Sequence, residues 1–226
     1  MKKFIYLLCC TTLLSSCVTT SLTRGKAYPK MYEEKPLAIA VMPPINKTNI
    51  VEAKEYLYLT LSQTLSERGY YVISPFLSME MFKTESAYDA EMFVNSSLSQ
   101  FQQALGADAT LFTTIHTWDK NKLTAKVTVT IEYTLRSTKT NETIFQRKGT
   151  MIYDAYTKSS SGGGLMGLAV NMAASAIVTA TTDYVKIARA CNNAALADLP
   201  SGKYSPAYLI DVERTAGAKE FRQTIK

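Results

Sequence analysis

Histidine is almost missing from this chain of 226 residues: His116 is the only one. One imidazole makes neither a histidine-based metal cluster nor, without a serine and an acid at recognisable spacing, a nucleophilic relay. Asp108, Asp119 and Asp154 stand apart along the chain, and nothing pairs them as acid and base. Tryptophan is equally scarce, with Trp118 alone. Basic runs are lacking as well. The formal charge of +6 is scattered, which excludes the clustered patch of a nucleic-acid binder. The apolar run from Phe4 to Leu14 stops at 11 residues, whereas a bilayer span needs about 20.

That short run has a different meaning. Lys2 and Lys3 precede it and Leu14-Ser15-Ser16-Cys17 closes it, the layout of a secretory signal whose end resembles the bacterial lipobox. Cleavage of residues 1–16 would leave Cys17 first and acylated on its thiol and amine. Two or more acyl chains hold a protein stably at a bilayer, whereas one holds it marginally. Val18 stands where an aspartate would resemble the inner-membrane retention signal, so the expected address is the outer membrane, lipid-anchored and facing the periplasm. Cys9 and Cys10 leave with the signal, which precludes an intramolecular disulfide. Cys191 is then either a buried small hydrophobe or a thiol for intermolecular pairing, and its Ala-rich helical surroundings favour burial.

The mature chain of about 210 residues suits one domain. Residues 17–36 read as the lipidated cysteine and a polar, aperiodic tether reaching roughly 25 Å as a coil. Residues 37–226 read as a single periplasmic α/β domain: a mixed sheet of about five strands with a carboxyl-terminal hairpin, and helices packed on the sheet. Leu37 to Pro44 is apolar on both faces, as in a covered central strand. Val51 to Arg68 aligns Leu57, Leu61 and Leu65 on one helical face, and Gly69 sits where a left-handed cap belongs. Tyr70 to Ile73 predicts a short strand, residues 76–95 one or two short helices, and Ser97 with Gln100 a capping box for a helix ending at Gly106. Thr110 to Trp118 is a further strand. Residues 123–136 alternate Val127, Val129, Ile131, Tyr133 and Leu135 with polar residues, which marks one buried and one wet face. Thr143 to Asp154 returns as the hairpin partner, with Phe145, Met151 and Tyr153 inward. A long helix from about Leu165 to Leu196 and a polar tail with a short helix near Tyr208 to Glu213 complete the pattern.

Gly162-x-Gly164-x-x-Gly167 matches a dinucleotide fingerprint letter for letter, but no second parallel strand tipped by an acid follows, and no Lys-Ser/Thr makes it a P-loop. A flexible Ser/Gly loop and no cofactor are expected. The uncharged stretch Leu165 to Thr182 is weakly apolar and reads as a packing helix on the sheet or across a dimer. Open α/β sheets place sites at strand carboxyl ends, so Pro43, Pro44, Asn46 and Thr48 form the candidate interaction loop, joined by Trp118 as a candidate aromatic anchor.

The segments Ala38 to Pro44 with Asn46, Leu65-Ser66-Glu67-Arg68-Gly69-Tyr70-Tyr71-Val72, Leu105 to Ala109 and Ile115 to Trp118 resemble a family of bacterial lipoproteins of unknown function named after a meningococcal genome-derived antigen. The Gly-rich loop and Ala-rich helix agree, and the hairpin turn Thr140 to Phe145 departs from a Gly-then-Trp tendency. The resemblance implies a fold similar to the amino-terminal domain of the Tol-system periplasmic protein and to lipoproteins that activate peptidoglycan synthases. It also implies an envelope protein partner, for example a lipoprotein resembling the curli secretion channel. The expectation is a non-enzymatic interaction or assembly module in secretion, transport or cell-surface biogenesis, with a homodimer as one state. An activator of a peptidoglycan synthase, and a hydrolase of an envelope substrate using the Pro-Pro loop and Asp108, are the competing readings.

Overall fold

Seven strands share one sheet in the computed structural model, two more than the sequence pattern predicts. It describes residues 22–84, 90–121, 123–124, 126–154 and 184–225. The helices are α1 (Arg24–Ala27), α2 (Pro29–Glu34), α3 (Val51–Glu67), α4 (Pro75–Thr84), α5 (Glu91–Val94), α6 (Ser99–Leu105) and α7 (Tyr184–Leu196). The strands are β1 (Ala38–Val41), β2 (Ile45–Asn46), β3 (Tyr71–Val72), β4 (Ala109–Asn121), β5 (Lys126–Ser137), β6 (Thr143–Asp154) and β7 (Glu220–Ile225). Their order is β3-β1-β4-β5-β6-β7, with β2 also on β4. β3, β1 and β4 run parallel, β4, β5 and β6 antiparallel, and β7 parallel to β6.

The apolar-on-both-faces reading of β1 holds. Ile39 and Val41 enter the core under α3 and α7, whereas Ala40 and Met42 enter a second core with Phe93, Leu98, Phe101 and Phe112. Leu57, Leu61 and Leu65 are fully buried, and α3 ends in the predicted cap. Gly69 adopts φ +88, its N–H donates to the Ser66 carbonyl at 2.9 Å, and the Tyr70 N–H donates to the Leu65 carbonyl at 3.2 Å. Gly106, at φ +67, closes α6 likewise. β5 alternates as its sequence does. On α7, Ile187, Ala188, Cys191, Asn192, Ala195 and Leu196 are buried, and the small residues admit α3 closely.

Asn192 is a fully buried polar residue of that interface. It accepts from the Tyr133 hydroxyl at 2.8 Å and donates to Thr60 Oγ1 at 2.9 Å, linking β5, α7 and α3 inside the core. Cys191 is 3% exposed, so the burial reading stands, and burial pushes its thiol up to about 12. A thiol reagent at mildly alkaline pH is expected to leave the native protein unlabelled at Cys191 and to label it in denaturant; labelling of native protein at the denatured rate would refute this.

Several expectations need correction. Residues 24–36 are no loose tether: α1 and α2 lie on the main core, with Arg24, Tyr28 and Met31 buried. The capping box does not form, because Leu98 occupies the N-cap and its N–H donates to Asn141 Oδ1 at 2.6 Å. The tail forms a 3-10 turn (Asp211–Glu213) and then β7, a strand the pattern does not predict. Phe221 of β7 packs over Gly149 of β6, where a Cβ would lie 2.4 Å from the ring. The Gly162–Gly167 loop and the first part of the predicted long helix lie outside the described residues. No helix among the described residues is long and apolar enough to cross a membrane.

Candidate docking groove on the open sheet face

Strand parity sets up two unlike faces. Val127, Val129, Ile131, Tyr133 and Leu135 point into the core under α3 and α7, so Thr128, Thr130, Glu132, Thr134 and Arg136 point the other way. Toward β1 that second face is covered by α5 and α6. Over β4, β5 and β6 it is half-open, and there a groove of about 730 Å³ runs from Ile45 and Lys47 to Asn141 and Thr143. Phe112 and Val94 supply an apolar side, and Thr114, Thr134, Glu132 and Gln146 supply a polar floor.

Arg136 builds one wall. Its guanidinium donates to the carbonyls of Phe93 and Val94 at the end of α5 and, through Nε and Nη2, to the Asn141 carbonyl at 3.2 and 3.0 Å. A fork of donors thus joins the helix end to the hairpin turn, and the wall is held before anything binds.

A bulge in β4 places a partner beside Glu132. Ile115 pairs with Ile131 but Thr117 with Thr130, so His116 is an extra residue and Trp118 returns to the core. His116 Nε2 lies 2.9 Å from Glu132 Oε2, and Gln146 Nε2 donates to Glu132 Oε1 at 2.8 Å. Burial pushes the Glu132 carboxyl up, but the hydrogen bonds from His116 and Gln146, with the charges of His116 and Lys148, outweigh it and hold the group below its ordinary range. Glu132 is a charged acceptor in the groove floor.

The candidate interaction loop is used differently from expectation. Pro43 and Pro44 are buried between β1 and β2. Asn46 Oδ1 accepts from the Thr48 N–H at 3.0 Å and the Thr48 hydroxyl at 2.8 Å, and Asn46 Nδ2 donates to the Ile50 carbonyl at 2.8 Å, so both side chains shape the approach to α3. Their neighbours Ile45 and Lys47 line the groove instead. Trp118 is 4% exposed and packs on Tyr184, with ring centroids 5.6 Å apart, on the opposite face of the sheet. It is a core residue and not a surface anchor.

Asp108 is a backbone clamp: Oδ2 accepts from the N–H groups of Leu37 and Ala38, both at 2.9 Å, and fixes the start of β1. Among the described residues, no three His, Cys, Asp or Glu gather to hold a metal. Lys47, Glu132, Arg136 and Gln146 are the groove residues that motif reading passes over. The wet register of β5 is the signal that contains Glu132 and Arg136, but period alone does not say which part of a wet face stays uncovered.

Residues 26–203 match the family described as "Putative lipoprotein GNA1162-like". "Putative lipoprotein NMB1124/NMB1162" of Neisseria meningitidis serogroup B is 25% identical over 185 residues, covering 81% of this chain and 84% of its own length. The crystal structure of lipoprotein GNA1162 from Neisseria meningitidis is similar with a TM-score of 0.49 and 23% identity, over 65% of this chain and 100% of that one. The PelC dodecamer of Paraburkholderia phytofirmans gives a TM-score of 0.42 and 13% identity, over 78% and 89%.

Proposed function

From the premise that the chain belongs to the GNA1162-like lipoprotein family, we propose that it is a docking module held on the periplasmic side of the outer membrane by acyl chains on Cys17. It engages an envelope protein through the groove over β4, β5 and β6, in secretion, transport or cell-surface assembly, and it carries out no chemistry of its own. The observation that carries this reading is the groove itself. One wall is fixed by Arg136, and the lining sets an apolar side against a floor of hydroxyls, an amide and an ionised carboxylate. Preformed walls lower the ordering cost of association, and mixed lining of this kind orients a partner. Confinement to a membrane surface raises the effective concentration of two tethered partners, up to about millimolar with short linkers.

A photoreactive residue in place of Thr134, in the groove floor, is expected to capture an envelope protein in intact cells, and the additional change Lys47→Glu to weaken that capture. No capture from Thr134 would overturn the groove assignment. Recovery of a peptidoglycan synthase as the sole partner would overturn the secretion reading, and recovery of the chain itself would make the groove a homodimer contact. Cys17→Ser is expected to yield a soluble or uncleaved protein; unchanged membrane fractionation and processing would refute the anchor.

A further inference from the structure

We propose that the body sits directly on the lipid surface through Leu22 and the loop that carries Tyr204, Leu209 and Ile210, with Lys203 and Arg214 beside them to meet anionic headgroups. This rests on the anchoring reading above and goes beyond it, because an anchor alone leaves the body free to hang at any angle.

A buried ion cluster holds α1 to the body. Arg24 Nη1 donates to Asp211 Oδ2 at 3.0 Å, and Arg24 Nε lies 3.4 Å from Asp198 Oδ1. The Tyr28 hydroxyl donates to Asp198 Oδ2 at 2.5 Å and the Tyr32 hydroxyl to Asp211 Oδ1 at 3.1 Å. Backbone pairing extends the clasp outward: the Arg24 N–H donates to the Arg214 carbonyl at 2.8 Å, and the Ala216 N–H to the Leu22 carbonyl at 2.7 Å. The chain is therefore fixed to the body from Leu22 onward.

Five peptide steps separate Cys17 from Leu22, and fully extended they span at most about 18 Å. A domain of this size is about 40 Å across. A leash shorter than half the diameter cannot let the far side of the body turn toward the bilayer. The side where Leu22 emerges must face it.

That side carries apolar groups with no role in the core. Leu22 is 52% exposed, Tyr204 66%, Leu209 41% and Ile210 73%. All four lie in the two segments the clasp joins, since the Ser201 N–H also donates to Asp211 Oδ2 at 2.8 Å. Leu209 is held at φ +58, a left-handed conformation that leucine rarely adopts. Exposed leucine and isoleucine side chains side by side leave apolar surface in water, and shallow insertion at a headgroup boundary covers it. Lys203 and Arg214 are exposed on the same segment; Glu213 is its exposed acid, because Asp211 is buried against Arg24. The docking groove opens on the sheet face opposite α1 and α2, away from this contact.

The test uses the full-length lipidated protein in vesicles of phosphatidylethanolamine and phosphatidylglycerol with brominated acyl chains, which quench tryptophan at close range. Ile210→Trp is compared with Val51→Trp, exposed at the far end of α3, roughly 27 Å along the helix from Gly69, which contacts the same loop. Trp118 in the unsubstituted protein sets the background. The residue at position 210 is expected to lose at least half its emission and shift to the blue, while the one at position 51 stays unquenched. Vesicle flotation with no quenching at position 210, or with equal quenching at both, would overturn the seating and leave the anchor intact. Failure to float would overturn the anchoring itself.

Discussion

Arg24→Ala is expected to cost about 3–5 kcal/mol of folding stability, the range for removing one partner of a buried ion pair. The side chain is only 10% exposed and reaches three acceptors: Asp211, Asp198 and the Ala197 carbonyl. Without it the Asp211 carboxylate, fully buried, keeps the Tyr32 hydroxyl and the Ser201 N–H and hydroxyl, all neutral donors. Burial pushes the Asp211 carboxyl up, but the bonds from Ser201, Tyr32 and Arg24 outweigh it and hold the group below its ordinary value of 3.8. A carboxyl with a depressed folded-state pKa stabilises the fold at pH above its unfolded value, and that stabilisation is lost as pH falls through the folded value. The penalty for Arg24→Ala is therefore expected to be full near neutrality and to shrink in acid as pH falls past the ordinary value of 3.8 and through the lower folded value, where a protonated Asp211 no longer needs a cation. Adding Asp211→Asn should recover part of the loss. Urea titration across pH checks all three results. A loss below about 1 kcal/mol, the level of an exposed pair, or one independent of pH, would contradict the clasp.

Gly69→Val is expected to cost about 2–5 kcal/mol, through two separate causes. At φ +88 a residue with a side chain loses roughly 1–2 kcal/mol, and a β-branched one has least freedom there. A Cβ at this position would also lie 2.4 Å from the Ser205 backbone nitrogen and 2.9 Å from the Gly202 carbonyl oxygen. Backbone atoms cannot rotate aside as a side chain end can, and overpacking of this kind costs about 1–3 kcal/mol. Gly202 meets Gly69 from the other side, its own Cβ position 2.3 Å from the Gly69 oxygen. Both glycines are present because two stretches of backbone cross there. Thermal unfolding should show the loss, and a cost near 1 kcal/mol would mean that the crossing opens freely. Gly106→Ala is the comparison: its φ is +67 but nothing lies within 4 Å, so the conformational part alone is expected.

The contrast between those two glycines shows what pattern reading reaches. Both are recognisable as helix ends, because a left-handed cap is a local event within a few residues of the last turn. That Gly69 also carries a backbone crossing depends on residues 202 and 205, and no window of sequence joins them. Arg24 is the stronger case. Its segment has no period and two prolines, so it reads as a tether, yet the acid it binds lies 187 residues away. β7 escapes for a related reason: Phe221 and Ile225 alone alternate inward, and the strand exists because β6 offers a free edge with Gly149 to receive a ring. Ser97 and Gln100 fit a capping box, but the helix starts one residue later, with Leu98 at the N-cap and its N–H held by Asn141 of the hairpin turn.

The groove divides along the same line. The wet register of β5 and the Pro-Pro end of β1 are both plain in the residues, since periods of two and proline stops are set by bonded neighbours. Which wet residues stay uncovered depends on where α5 and α6 end, and the bulge that turns His116 toward Glu132 depends on the register of β4 against β5. The amino-acid sequence by itself determined the mixed α/β class, the helix of Leu57, Leu61 and Leu65 and the helical surroundings that bury Cys191. Only the tertiary structure decided that residues 24–34 belong to the body, that Trp118 is core, and that the open face carries a braced groove. Each of those three outcomes depends on partners distant in the chain, which the residues near a position do not specify.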